Sequence, residues 1–144
     1  MSRIQGTIPE TQDQIVEDFG FFETWEDRYT YIIDLGQKLP AMPDDLKTEE
    51  YRVRGCQSQV WIYPQFSDGV MTFLADSDAS SVKGLIALLL RVYSGHTPAE
   101  IIAAEPDFMD RAGLTAENLS MVRVNGMRAA AKQIQKYARQ QGAA

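Results

Sequence analysis

Gln59-Val60-Trp61-Ile62-Tyr63-Pro64-Gln65-Phe66-Ser67-Asp68-Gly69-Val70-Met71-Thr72-Phe73-Leu74-Ala75 divides into two apolar runs around a turn. In residues 59–66, Val60 and Ile62 alternate with Trp61 and Tyr63, the period of a strand with one face buried. Ser67-Asp68-Gly69 is a turn signal. Residues 70–75 resume the alternation, with Val70, Thr72 and Leu74 on one face and Met71, Phe73 and Ala75 on the other. Pro64 has no N–H for a ladder, which puts the end of the first strand at a sheet edge or bulge. Residues 51–54 add a further short extended stretch, so the middle of the chain reads as a small three-stranded antiparallel meander.

On either side of it the period changes to that of a helix. Residues 11–22 offer Ile15, Phe19 and Phe22 at helical spacing. Thr24 is positioned to cap a second helix carrying Tyr29, Ile32, Ile33 and Leu39, which Pro40 stops. Residues 40–50, with Pro40, Pro43, Asp44 and Asp45, read as an exposed acidic loop. Beyond the meander, Ser80 or Ser81 is positioned to cap a helix with Val82, Leu85, Ile86, Leu89 and Val92 inward and Gly95 at its end. Thr97-Pro98-Ala99-Glu100 is a capping box with proline at the first helical position, opening a short helix to about residue 104. A last helix runs from Met121 or Asn125 to Gln140. The expected class is therefore α+β, one domain over residues 1–144, with helices packed against a small sheet.

The 144 residues suffice for one self-supporting core, since chains of about 150 residues bury roughly 70% of their unfolded surface. Fourteen Lys and Arg against 20 Asp and Glu give a net charge of −6. That balance disfavours nucleic acid as the main partner, because neutralising phosphates needs clustered cations; a local basic patch remains compatible with it. The first twenty residues carry Arg3, Glu10, Asp13, Glu17 and Asp18 and do not read as a signal peptide. The longest apolar run, residues 84–90, is far too short to span a membrane. A soluble, cytoplasmic protein is expected, with no membrane partner.

Cys56 is the only cysteine, which excludes an intrachain disulfide, a zinc site with two or more thiolates and a self-contained Fe–S cluster. It sits in Arg52-Val53-Arg54-Gly55-Cys56-Gln57-Ser58-Gln59. Two readings stand. A lone cysteine is by default a small buried apolar residue. Against that, Gly55 permits a tight bend, Gln57 and Ser58 are not core residues, and Arg52 and Arg54 are close enough to favour the nucleophilic thiolate. The strand period turns both arginines to one face, however, and Cys56 need not share it.

Gly55-Cys56-Gln57-Ser58-Gln59-Val60-Trp61 resembles the hallmark of the SufE family of sulfur acceptors in iron–sulfur cluster assembly. Residues 25–29 through 32–40 are similar to that family's second helix. Asp76-Ser77-Asp78-Ala79 with Val82-Lys83-Gly84-Leu85 is similar to the start of its main helix, and Arg123-Val124-Asn125-Gly126-Met127 to the opening of its last one. The resemblance implies a SufE/NifU-like fold and a persulfide relay. Cys56 would take sulfane sulfur from a SufS-like or CsdA-like cysteine desulfurase, stimulate that enzyme, and pass the sulfur to a SufBCD-like Fe–S scaffold. It implies no cofactor and no metal bound by this chain. A sulfur-transfer accessory role with a covalent cysteine persulfide follows; Gly55 and the polar flank of Gln57 and Ser58 lead us to expect the thiol tucked under its loop at rest.

The resemblance also marks Arg54, Gly55, Gln57, Ser58, Asp78 and Arg123 for loop support or partner contact. Each has a plainer reading. Asp76 and Asp78 precede a helix and suit capping and the helix dipole, and Arg123 suits a solvated surface. His96 follows a helix-ending glycine, where a cation favours the C-terminal dipole, and no thiol–imidazole dyad is expected. The acidic residues 44–50 read as a solvated connection, and no glycine-rich phosphate cradle is present. Two rival functions remain: a noncatalytic docking regulator of a desulfurase, and a redox-sensing thiol.

Overall fold

The computed structural model describes residues 6–143, so Arg3 and the extreme ends of the expected domain lie outside the described residues. The element order is α1 (Ile8–Gly20), α2 (Trp25–Gln37), 3-10 turns at Asp44–Leu46 and Glu49–Tyr51, β1 (Val60–Ser67) and β2 (Val70–Ser77). Then follow α3 (Ser80–Tyr93), α4 (Pro98–Ala103), α5 (Phe108–Arg111) and α6 (Met121–Ala143). The class is α+β, as the residue pattern predicts.

The hairpin follows from its turn. Asp68 and Gly69 both have positive φ, 54° and 81°, the requirement of a two-residue turn whose twist matches its strands. That turn sets the register from Ser67 opposite Val70 to Val60 opposite Ser77. Period two then buries Val60 and Ile62 on β1 and Met71, Phe73 and Ala75 on β2. Pro64 lies opposite Phe73, whose N–H turns away from β1 to donate to Ser94 Oγ at 3.2 Å. The missing proline donor therefore costs no bond within the hairpin.

The sheet has two strands among the described residues, not three. Tyr51 belongs to a 3-10 turn, and Gly55 turns the chain again, leaving Arg52 and Val53 as the extended residues between them. They make a single bridge, Arg52 to Trp61, with the Val53 N–H donating to the Val60 carbonyl at 2.8 Å. Two residues between two turns are too few for a strand. The other edge is treated alike, because Met71 donates to the His96 carbonyl and accepts from the Gly95 N–H.

Helix α3 is the centre of the molecule, packing against α1, α2, α6 and β2. Leu85, Ile86, Leu88, Leu89, Val92 and Tyr93 are wholly inaccessible, each contributing about 1.5–3 kcal/mol of burial. The α2–α3 crossing is close because both sides use glycine. A Cβ on Gly36 would come within 2.7 Å of the Gly84 nitrogen, and one on Gly84 would run into the Ile32 carbonyl. Buried Gln12 ties α1 to the segment before α5, donating to the Glu105 carbonyl and accepting from the Phe108 N–H.

Several local expectations need correction. Helix α1 starts at Ile8 rather than residue 11, because Thr7 and Glu10 form a second capping box. Neither Ser80 nor Ser81 caps α3; Ala79 occupies that position with no side-chain bond. His96, expected after the helix-ending glycine, is fully buried at the sheet edge, with Nδ1 3.8 Å from the Glu100 carboxylate. Among the described residues, no helix is long and apolar enough to cross a membrane.

Candidate functional site

The bridge between Arg52 and Trp61 closes the neck of a loop over residues 54–59 that carries Cys56 at its crest. Gly55 has φ +89°, a left-handed conformation that side chains disfavour, and this reverses the chain next to the cysteine. The return limb is clamped twice by Asp78. Its carboxylate Oδ1 accepts the Gln59 N–H at 3.0 Å, and its own N–H donates to the Gln59 carbonyl at 3.2 Å. Asp78 thus bonds to the return limb of the loop and makes no capping bond to α3.

The crest lies on the first turns of α6. Cys56 is half-buried, and its Sγ donates to the Gly126 carbonyl at 3.6 Å. Such a thiol contact is weak. Burial pushes the Cys56 thiol above its ordinary range, and the Arg52 charge offsets part of that rise. The resting cysteine is thus a neutral donor, shielded but not entombed. Its loop is held firmly at the base and lightly at the tip.

Neither flanking arginine is committed to the sulfur. Arg52 and Arg54 both reach Glu49, at 3.2 and 3.1 Å on its two oxygens. Glu49 was missed from sequence because residues 44–50 read as a solvated connection; its signal was the acidic residue three and five positions before the two arginines. The same connection supplies Lys47, which pairs with Asp76 at 2.8 Å. Burial would raise the Asp76 carboxyl, but hydrogen bonds from Lys47, the Ser77 N–H and Lys83 outweigh it and hold it below the usual range.

Gln57 is exposed and Ser58 half-buried, and neither side chain is hydrogen-bonded among the described residues. Arg123 does not bond to the loop. Its Nε donates to Ser81 Oγ at 2.9 Å, and its guanidinium lies 5.1 Å from the Tyr29 ring centroid. It pins the first turn of α6 to α3 and α2, and so supports Gly126 rather than Cys56 directly. The structure therefore brings Arg54, Gly55, Asp78 and Cys56 to one loop, with Arg123 on a supporting contact. No group of three or more metal-ligating side chains is assembled among the described residues.

The lone thiol is half-buried on a glycine-turned loop, and comparison with known proteins shows the family of the chain that carries it. The Fe–S metabolism associated domain, SufE, matches residues 13–138. The chain belongs to the SufE family. An uncharacterised SufE-like protein of Rhizobium etli is 43% identical over 137 residues, covering 92% of each chain. The sulfur acceptor protein CsdE of Escherichia coli is 38% identical over 126 residues, covering 86% of this chain and 85% of that one. A solution structure of a hypothetical protein from Thermus thermophilus superposes with a TM-score of 0.77 at 24% identity, over 93% of this chain and 97% of that one. That last likeness bears on the fold alone.

Proposed function

We propose that this protein is a sulfur acceptor in Fe–S metabolism, a single SufE-like domain whose Cys56 takes sulfane sulfur from a cysteine desulfurase of the SufS or CsdA kind. The Cys56 thiolate attacks the terminal sulfur of the donor's persulfide. One sulfur–sulfur bond forms at Sγ as the donor's own breaks, and the donor cysteine leaves as a thiolate. No net oxidation or reduction occurs. Clearing the donor's thiol speeds its next cycle, and the loaded Cys56 then delivers sulfur to an Fe–S scaffold of the SufBCD kind in the cytoplasm. The desulfurase brings its own pyridoxal phosphate, and none is held here.

The observation that carries this reading is the way the loop is held. Its base is fixed by Asp78 and by the Val53–Val60 bond, while Sγ rests on one weak contact with Gly126. Swinging the crest outward costs little and leaves the fold intact. Shielding at rest suits a cargo that is easily oxidised. Gly55, Gln57 and Ser58 serve the motion, Arg54 flanks the partner, and Arg123 keeps the α6 seat in place.

Incubation with a cysteine desulfurase and free cysteine should add one sulfur atom to Cys56, detected by mass spectrometry. Cys56→Ser should lose both the added sulfur and the stimulation of the desulfurase. Stimulation that survives Cys56→Ser would instead identify a docking regulator.

A further inference from the structure

Five of the eight exposed Lys and Arg side chains among the described residues border one groove of this acidic protein. Beside the cysteine loop, an open groove of about 610 Å³ is lined by Arg54, Gly55, Arg128, Lys132, Lys136 and Arg139. The last four lie at spacings of four, four and three on α6, one face of the helix, and span roughly 16 Å at 1.5 Å per residue. All four are exposed, and none is ion-paired among the described residues. Arg128 and Lys132 also border a neighbouring groove that carries Glu105, Asp107 and Asp110, yet no pair closes between them. Five cations in this patch stand against a net charge of −6 for the whole chain. Arg54 pairs with Glu49, and the four α6 cations are left as the uncompensated charge of the groove.

We infer that this groove is the docking face for an acidic rim around the donor desulfurase's persulfide cysteine. The inference rests on the sulfur-acceptor reading above. Sulfur exchange needs the two cysteine sulfurs in bonding contact, so the donor's surface must overlie whatever flanks Cys56. On one side that is Gly55 and the first turns of α6, where a Cβ on Gly55 would lie 3.8 Å from the Ala129 methyl. The groove begins there and runs along α6. A partner seated on it meets unpaired cations, and complementary carboxylates would both orient the encounter and raise its rate. The same field attracts the donor's anionic persulfide toward the loop.

The test uses the full chain as Cys56→Ser, fluorescently labelled, with binding to a purified cysteine desulfurase read by anisotropy. Lys132→Glu with Lys136→Glu should weaken binding about tenfold or more at roughly 0.05 M salt, and the gap should close by roughly 0.5 M. Both lysines are exposed, and an unchanged circular dichroism spectrum checks the fold. Lys38→Glu with Arg111→Glu changes the net charge equally outside the groove and should leave binding within about twofold of the parent. In the Cys56 background, iodoacetamide should alkylate the groove variant about as fast as the parent.

Equal affinities of parent and groove variant at every salt concentration would overturn the inference and leave the relay standing. Groove-dependent binding without sulfur loading would do the reverse. A single-stranded RNA oligonucleotide that displaces the desulfurase through the same two lysines would make the groove a nucleic-acid site. Self-association lost in the groove variant would make it a contact between copies. Either result would overturn the inference.

Discussion

Helix α3 and the cysteine loop both lie against α6 but are held by opposite means. Six side chains of α3 are wholly buried, and a glycine on α2 and another on α3 let the two helices meet at backbone distance. The loop is closed by three backbone-directed hydrogen bonds at its neck and by one sulfur contact at its tip. Dense apolar packing has no second arrangement close in energy, whereas a crest held by one weak contact has little to lose on opening. The sulfur-acceptor reading calls for both, a fixed frame and one thiol free to move.

The largest effect should come from opening the core. Leu89→Ala should lower stability by about 2–5 kcal/mol in urea unfolding, since the surrounding helices have little freedom to collapse into the gap. Its folded state should alkylate at Cys56 at the parent rate. An accelerated alkylation would show that core and loop are coupled, and the contrast between them would fail.

Next should be the clamp. Asp78→Ala removes a charged acceptor from the Gln59 N–H, a loss of about 1–2 kcal/mol given its exposure. Here iodoacetamide should reach Cys56 several-fold faster than in the parent. Gly55→Ala is the third in size, about 1 kcal/mol, because φ +89° strains an alanine while the 3.8 Å gap to Ala129 accommodates its methyl. A neutral Gly55→Ala would mean that the loop re-forms with another backbone path.

Much of this was legible because it is local. Asp68-Gly69 specifies a two-residue turn, and that turn fixes the register of both strands without further information. Continuing that register puts Asp78 opposite Gln59, so the clamp was readable in principle; proximity to α3 suggested capping instead. The pattern Thr7-Ile8-Pro9-Glu10 is the capping box also present at Thr97-Pro98-Ala99-Glu100, and only the second was read. The third strand failed because two turns flank Arg52 and Val53, and extended propensity cannot show how few residues remain between them. Glu49 and Arg123 act across long separations, where periodicity carries no signal. The family hallmark marked Cys56 as the candidate site, a choice that local physics left open.

The smallest effect concerns the thiol's charge. Burial raises the Cys56 pKa and Arg52 offsets part of the rise, so alkylation should climb with pH along a profile lying above that of a free cysteine. Stability follows the same group. A folded-state pKa above the unfolded value gives a contribution fully present below the unfolded pKa and lost as pH rises through the folded one. Arg52→Gln should move the alkylation profile to still higher pH, and Arg52→Lys should restore it, because only the charge matters. Both keep the backbone bridge to Trp61. If Arg52→Gln left the profile in place, the pairing with Glu49 would already cancel the arginine's field at the sulfur, and shielding alone would set the reactivity of the loop.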